Sequence, residues 1–298
     1  MQNPVALVLS SGGARGLAHI GVIEVLEEQG YKIHSVAGSS MGALIGGFYA
    51  MGKLEEYKNW VKKLTRKDVF SLMDFTISGS GLVKAERIFE KMKEFIPDMP
   101  IEQMPVTFRA IATDVINEEE VIYESGSFYD AARASIAIPA VITPVKRDST
   151  VLVDGGVMNP LPFRHVKRTN GDMLVVVNLY GRENKAISSG ESEIVKKINT
   201  TPETGILDRF HNSENFQTVR NWIADFISVG DHANKGYISL LNTVSKLMII
   251  RLAEQEAQLA NPDLLITIPQ NSAGTWDFHK AKDLIELGRR AATEALKN

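Results

Sequence analysis

The chain of 298 residues contains no cysteine. That absence excludes disulfides, thiolate metal ligands and a cysteine nucleophile together, and it fits a reducing compartment. No apolar run approaches the roughly 18 residues that a membrane span requires. The opening MQNPVALVL has neither the basic start nor the long apolar core of a signal peptide, so a cytoplasmic protein is expected. Positive charge is not in excess either. With 33 Lys and Arg against 36 Asp and Glu, the formal net charge is −3, which gives no electrostatic reason to expect nucleic acid as a partner. Lys62, Lys63, Arg66 and Lys67 are interleaved with apolar residues, as on the solvated face of a helix. Asp114 and Glu118 to Glu120 read as a solvated turn. Acidic and histidine residues show no metal-ligand spacing, so neither metal nor other cofactor is expected.

What is present is the composition of a globular protein, 44% hydrophobic and 23% charged. Val5 to Leu9 is a continuous apolar run, the pattern of a strand buried on both faces. The turn SSGGARG follows, then apolar residues at helical spacing from Leu17 to Gln29, ended by Gly30. Ile33 to Ala37 is a second strand, GSSMG a sharp turn, and Ala43 to Met51 a small-residue helix. This order argues for an α/β fold with a parallel sheet and crossover helices. Further strands are expected at Val106 to Ala112, Val121 to Tyr123, up to Val153, and Leu174 to Leu179. Residues 182–205 read as a long polar surface excursion. Helices are then expected near Phe216 to Val229 and Tyr237 to Leu259, a strand at Leu264 to Pro269, and a last helix from Ala281 to Leu296. Because a strand returns after the helices, residues 1–298 are expected to form a single domain: a core of about 5–180, with C-terminal helices and the returning strand over about 205–298.

Two glycine loops carry the chemistry. Gly38, Ser40 and Gly42 fit the G-x-S-x-G nucleophile elbow, with Ser40 rather than Ser39 at its centre. A serine on a tight strand-to-helix turn needs neighbours without side chains, and the helix that follows points its N-terminus at developing negative charge. Ser11, Gly13 and Gly16 come close to a dinucleotide fingerprint, but the acidic residue such a site wants at the next strand end is replaced by Gly38 and Ser39. The backbone amides of that loop can equally serve as an oxyanion hole. The six histidines, His19, His34, His165, His211, His232 and His279, carry no motif and read as surface or satisfied core residues. A Ser–Asp–His order remains available through Asp154 and His165, although only two strands precede Ser40. Asp154, followed by two glycines at a strand end, is the better base candidate.

Taken in order, SGGARG (Ser11 to Gly16), GSSMG (Gly38 to Gly42) and DGG (Asp154 to Gly156) resemble the patatin-like phospholipase family. ATD (Ala112 to Asp114), RASIAIP (Arg133 to Pro139), NPLP (Asn159 to Pro162) and PDLLI (Pro262 to Ile266) are similar to segments of bacterial members. The resemblance covers roughly Val5 to Tyr180. It implies a three-layer α/β/α fold with a mainly parallel central sheet, and a Ser40–Asp154 dyad without histidine. The amides of Gly12, Gly13 and Ala14 would form the oxyanion hole, with Arg15 steadying the loop. Many members begin that loop with three glycines, where this chain has Ser11 first. The implied activity is lipid acyl hydrolysis through an acyl-enzyme, on a lipid or fatty-acyl ester, with peripheral membrane contact left open. Acyl transfer through the same intermediate and a non-catalytic binding role stay as alternatives. FSLMDF (Phe70 to Phe75) with SGSG (Ser78 to Gly81) resembles a hydrophobic mouth, with ordinary core as the rival reading. The stripe of Phe216, Trp222 and Phe226 and the run Met248, Ile249, Ile250 and Leu252 are expected to pack on the core.

Overall fold

The computed structural model of the protein describes residues 3–74, 83–181 and 237–297. Its centre is an eight-stranded sheet in the order β5-β6-β3-β2-β1-β7-β8, with β4 paired to β3. Five strands run parallel: β1 (Asn3–Leu9), β2 (Tyr31–Ser39), β3 (Thr107–Asp114), β7 (Met173–Gly181) and β8 (Leu264–Pro269). The remaining three are antiparallel additions at one side: β4 (Glu119–Tyr123), β5 (Val145–Arg147) and β6 (Thr150–Asp154). The sheet is thus mainly parallel, and β8 adds to β7 after the helical part of the chain.

Three layers follow from how β1 divides its side chains. Val5, Leu7 and Leu9 join the large core on one face, whereas Ala6 and Val8 join a smaller cluster on the other. The large core is closed by α1 (Ala18–Glu28), α2 (Met41–Ala50), α6 (Phe128–Ser135) and α8 (Ala281–Ala295). The smaller face is covered by Leu161, Phe163 and Val166, and by Ala257 and Ala260 of α7 (Tyr237–Ala260). Three short helices flank the large core: α3 (Leu54–Val61), α4 (Arg66–Leu72) and α5 (Glu86–Lys93). Each buries only one or two residues of its own, such as Phe89 and Met92 of α5, which is why apolar periodicity did not announce them. Among the described residues no helix is long and apolar enough to cross a membrane.

Three expectations are corrected. Lys62 and Lys63 follow the end of α3 while Arg66 and Lys67 open α4, so the basic group straddles an inter-helix turn instead of one helix face. Asp114 is buried, and its carboxylate accepts from the N–H of Ile116 at 2.9 Å and from Asn117 Nδ2 at 2.7 Å, replacing the solvation that a free turn would offer. Met248 is 67% exposed, while Ile250 two residues on is buried, because α7 lays only one stripe against the sheet. The expected excursion at 182–205 and the helix at Phe216 to Val229 lie outside the described residues.

The C-terminal helix is held where it can serve the site. A Cβ on Gly21 of α1 would sit 2.0 Å from the Ile285 carbonyl, and one on Gly288 of α8 would sit 1.9 Å from the Ala18 carbonyl. The two helices therefore cross backbone to backbone, and Arg289 closes the crossing on Glu24 at 2.8 Å and Glu28 at 2.7 Å. Overpacking such a contact typically costs about 1–3 kcal/mol. Gly288→Ala is expected to lower Tm by several degrees in thermal unfolding, and an unchanged Tm would show that the crossing can open freely.

Candidate active site

Ser40 is the single residue between β2 and α2, with φ 54° and ψ −125°. A non-glycine residue at positive φ is strained, and persists only where its surroundings hold it. The restraints here are specific. The Ser40 N–H donates to Ser135 Oγ at 2.8 Å, and Ser135 Oγ donates in turn to the Ile111 carbonyl at 2.5 Å. Ser39 Oγ donates to the Asn159 carbonyl at 2.6 Å, which fixes the preceding peptide. A Cβ on Gly38 would lie 2.4 Å from the Gly42 backbone, and one on Gly42 would lie 2.1 Å from the Leu9 carbonyl. Both glycines are demanded by the closeness of strand and helix.

Asp154 arrives from the antiparallel side of the sheet. It closes β6 opposite Ala112 of β3, its N–H donates to the Ala137 carbonyl at 2.9 Å, and its own carbonyl accepts from Thr113 Oγ1 at 3.1 Å. Its carboxylate meets Ser40 directly: Ser40 Oγ donates to Oδ2 at 2.5 Å, and the Gly156 N–H donates to Oδ1 at 2.7 Å. Both side chains are buried. Burial pushes the Asp154 carboxyl up from its ordinary 3.8 to about 7, against the opposing pull of the Ser40 and Gly156 hydrogen bonds. A carboxylate that titrates near neutrality can both take and return a proton at working pH.

The first glycine loop stands beside this pair as a 3₁₀ turn over Gly13–Leu17, preceded by Gly12. Here the structure differs from expectation. The Ala14 N–H donates to the Thr275 carbonyl at 3.0 Å, so it is already occupied. Among the described hydrogen bonds none uses the N–H of Gly12 or Gly13. As first residue of α2, Met41 also carries an N–H without an intrahelical acceptor. Arg15 is buried and ties the loop to the C-terminal segment, donating through Nη1 to the carbonyls of Gln270 at 2.9 Å and Ala273 at 3.3 Å. Ser11, in the place of the first family glycine, pairs with Tyr180 Oη at 2.6 Å. It also packs on the aspartate turn, since a Cβ at Gly156 would come 2.5 Å from Ser11 Oγ.

The described histidines stand apart from this pair. His19 is buried, with Nε2 2.9 Å from the Ser10 carbonyl, and desolvation lowers it to about 4, so it is neutral. His34 bonds Asp172 at 2.9 Å, His165 bonds Glu120 at 2.6 Å, and His279 accepts from Arg66 at 3.0 Å. The arrangement with His165 as the third member is therefore not formed, because that ring is engaged by Glu120 on β4. His211 and His232 lie outside the described residues. No group of three or more His, Asp or Glu side chains among the described residues could hold a metal ion.

From Ser40 a cavity runs between α2, α3, α4 and α5. Its wall is apolar throughout most of its length, with Leu44, Trp60, Leu72, Met92, Ile138 and Phe278 among its lining residues. Leu72 and Met73, from the segment read as a mouth, line it too, while residues 75–82 lie outside the described ones. Sequence reasoning missed Ser135, Thr275 and Tyr180. RASIAIP held a signal for the first, since it contains a small polar residue amid apolar ones. The other two come from elements remote in sequence that only the sheet order brings together.

The α/β sheet thus presents a strained serine to a buried aspartate beside a glycine loop. Residues 7–167 match the model of the patatin-like phospholipase family. The chain belongs to that family, whose membership implies lipid acyl hydrolase activity. It is 33% identical over 327 aligned positions to an uncharacterized NTE family protein of Mycobacterium bovis, covering 98% of this chain and 91% of the relative. A patatin-like phospholipase domain-containing protein of Caenorhabditis elegans is 27% identical over 98% of this chain, which spans 20% of that longer protein. Among solved structures, VipD of Legionella pneumophila is similar over 99% of this chain and 67% of its own, with 14% identity and a TM-score of 0.48.

The raised carboxyl has a consequence for stability. A group whose folded pKa lies above its unfolded value favours the folded state at low pH and disfavours it as pH rises through the folded pKa. For Asp154 that loss builds between 3.8 and about 7. Asp154→Asn is therefore expected to match the wild-type Tm in acid and to exceed it increasingly up to neutral pH. A Tm difference that does not vary with pH would contradict the burial of this carboxyl as the cause.

Proposed function

We propose that the protein is a serine lipid acyl hydrolase that works through an acyl-enzyme on Ser40, with Asp154 as its only base. The observation that carries this reading is the direct 2.5 Å bond from Ser40 Oγ to Asp154 Oδ2 at the head of an apolar cavity. Asp154 Oδ2 takes the Ser40 proton as Oγ attacks the ester carbonyl carbon. Negative charge moves to the carbonyl oxygen, facing the N–H groups of Gly12, Gly13 and Met41. Collapse of the tetrahedral species breaks the ester C–O bond, and the proton on Asp154 passes to the departing alkoxide, giving the free alcohol. A water then gives its proton to Asp154 and attacks the acyl carbon. The fatty acid leaves, and the proton returns to Ser40.

The surroundings support each role. The N–H groups are fixed before reaction, so they stabilise the oxyanion without reorganising, and one such donor is typically worth about 10²–10³ in rate. The apolar lining of the cavity suits a fatty acyl chain better than a polar acyl group. Peripheral contact with a lipid surface follows as part of the same reading, since the substrate resides there.

The test is release of free fatty acid from phospholipid and from a soluble short-chain ester. General-base removal typically costs about 10²–10⁴-fold, so Asp154→Asn should lose activity by that order while remaining folded. For the wild type, kcat/KM should rise about tenfold per pH unit and level off near the Asp154 value of about 7. Undiminished activity in Asp154→Asn, or a profile flat across that range, would overturn the assignment.

A further inference from the structure

The turn between α3 and α4 is charged against the character of the whole chain. Residues 62–68 hold four cations, Lys62, Lys63, Arg66 and Lys67, against the single carboxylate Asp68, in a protein whose net charge is −3. All four cations are exposed. The Asp68 carboxylate is committed to its own helix start, accepting from the Thr65 N–H at 2.8 Å and Thr65 Oγ1 at 2.7 Å in a capping box. Arg66 is held by His279. Among the described residues, Lys62, Lys63 and Lys67 have no carboxylate partner, whereas Lys53, Lys58 and Lys91 nearby in sequence all do.

The inner side of the same segment is apolar. Trp60, Val61, Leu64, Val69 and Leu72 line the cavity that ends at Ser40. One helix–turn–helix thus presents an uncompensated positive surface outward and the wall of the cavity inward. An acidic protein partner would satisfy the outer face alone. Only a lipid surface satisfies both faces, because its phosphates meet the cations while its acyl chains supply what fills the cavity. Lysine stems can also lie along apolar lipid while their ammonium groups stay at the phosphates.

We propose that the α3–α4 turn is the surface by which the protein docks on an anionic phospholipid bilayer, which places the cavity beside its substrate. This rests on reading the cavity as an acyl site, so the test separates the two. Binding is measured with Ser40→Ala protein, which consumes no lipid, by co-sedimentation with phosphatidylcholine vesicles with and without phosphatidylserine. A lysine or arginine near an anionic surface typically strengthens partitioning about fivefold. Lys62→Gln, Lys63→Gln and Lys67→Gln combined should therefore weaken binding to the phosphatidylserine vesicles about a hundredfold. Added salt should weaken the parent's binding as well. The corresponding triple arginine variant should bind like the parent. With Ser40 intact, the triple glutamine variant should hydrolyse a soluble short-chain ester at the wild-type rate, which shows that it folds. Binding without preference for phosphatidylserine, no binding to either vesicle, equal binding by the glutamine variant, or loss of binding in the arginine variant would each overturn the proposal. Failure of the wild type to hydrolyse any ester would instead count against the acyl hydrolase reading and leave the vesicle result to decide the docking surface.

Discussion

A hydroxyl can sit 2.5 Å from a carboxylate in a buried site only if the backbone delivers both groups there and keeps water from competing. Nearly every local feature of the core serves that requirement. Ser40 comes from the end of a parallel strand and Asp154 from the end of an antiparallel one, and β3 is the common partner that brings the two ends together. The strain at Ser40 is held by the Ser135 hydroxyl, which also bonds β3 through Ile111. Asp154 is held by Ala137, two residues beyond Ser135, and by Thr113 of β3. One short stretch after α6 therefore positions both members of the pair.

The C-terminal part completes the site from the opposite direction. β8 extends the sheet beyond β7, and the loop after it places the Thr275 carbonyl on the Ala14 N–H and the Gln270 and Ala273 carbonyls on Arg15. The buried guanidinium is the link that lets the glycine loop and this segment share one geometry. Beyond that segment, the close glycine crossing packs α8 directly on α1. Burial has a cost as well as a use. The same desolvation that raises Asp154 toward neutrality, where it can act as a base, opposes its ionisation in the folded state.

The parts of this molecule legible in sequence were those written in a local pattern. Val5 to Leu9 read as a buried strand because a parallel strand covered on both faces has no polar alternation to show. Gly38, Ser40, Gly42 and the Asp154 turn could be picked out because close backbone approach excludes other residue types at the glycines. The short helices α3 to α5 were harder, since a helix that buries one or two large residues leaves little periodicity. The status of the Ala14 amide was beyond reach for another reason: its acceptor, Thr275, lies more than 250 residues away, and no local pattern encodes that contact. The same holds for the basic turn. Its charges were visible, but not that their reverse side lines the cavity.

The proposed activity requires Ser40 to be a nucleophile activated by Asp154. The most direct measurement is mass mapping of the protein after reaction with a fluorophosphonate, which phosphonylates an activated serine. An adduct on the peptide carrying Ser40 is predicted, absent in Ser40→Ala and formed far more slowly in Asp154→Asn. A folded wild type left unmodified at Ser40, or labelling at Ser40 that proceeds equally fast without the Asp154 carboxylate, would contradict it.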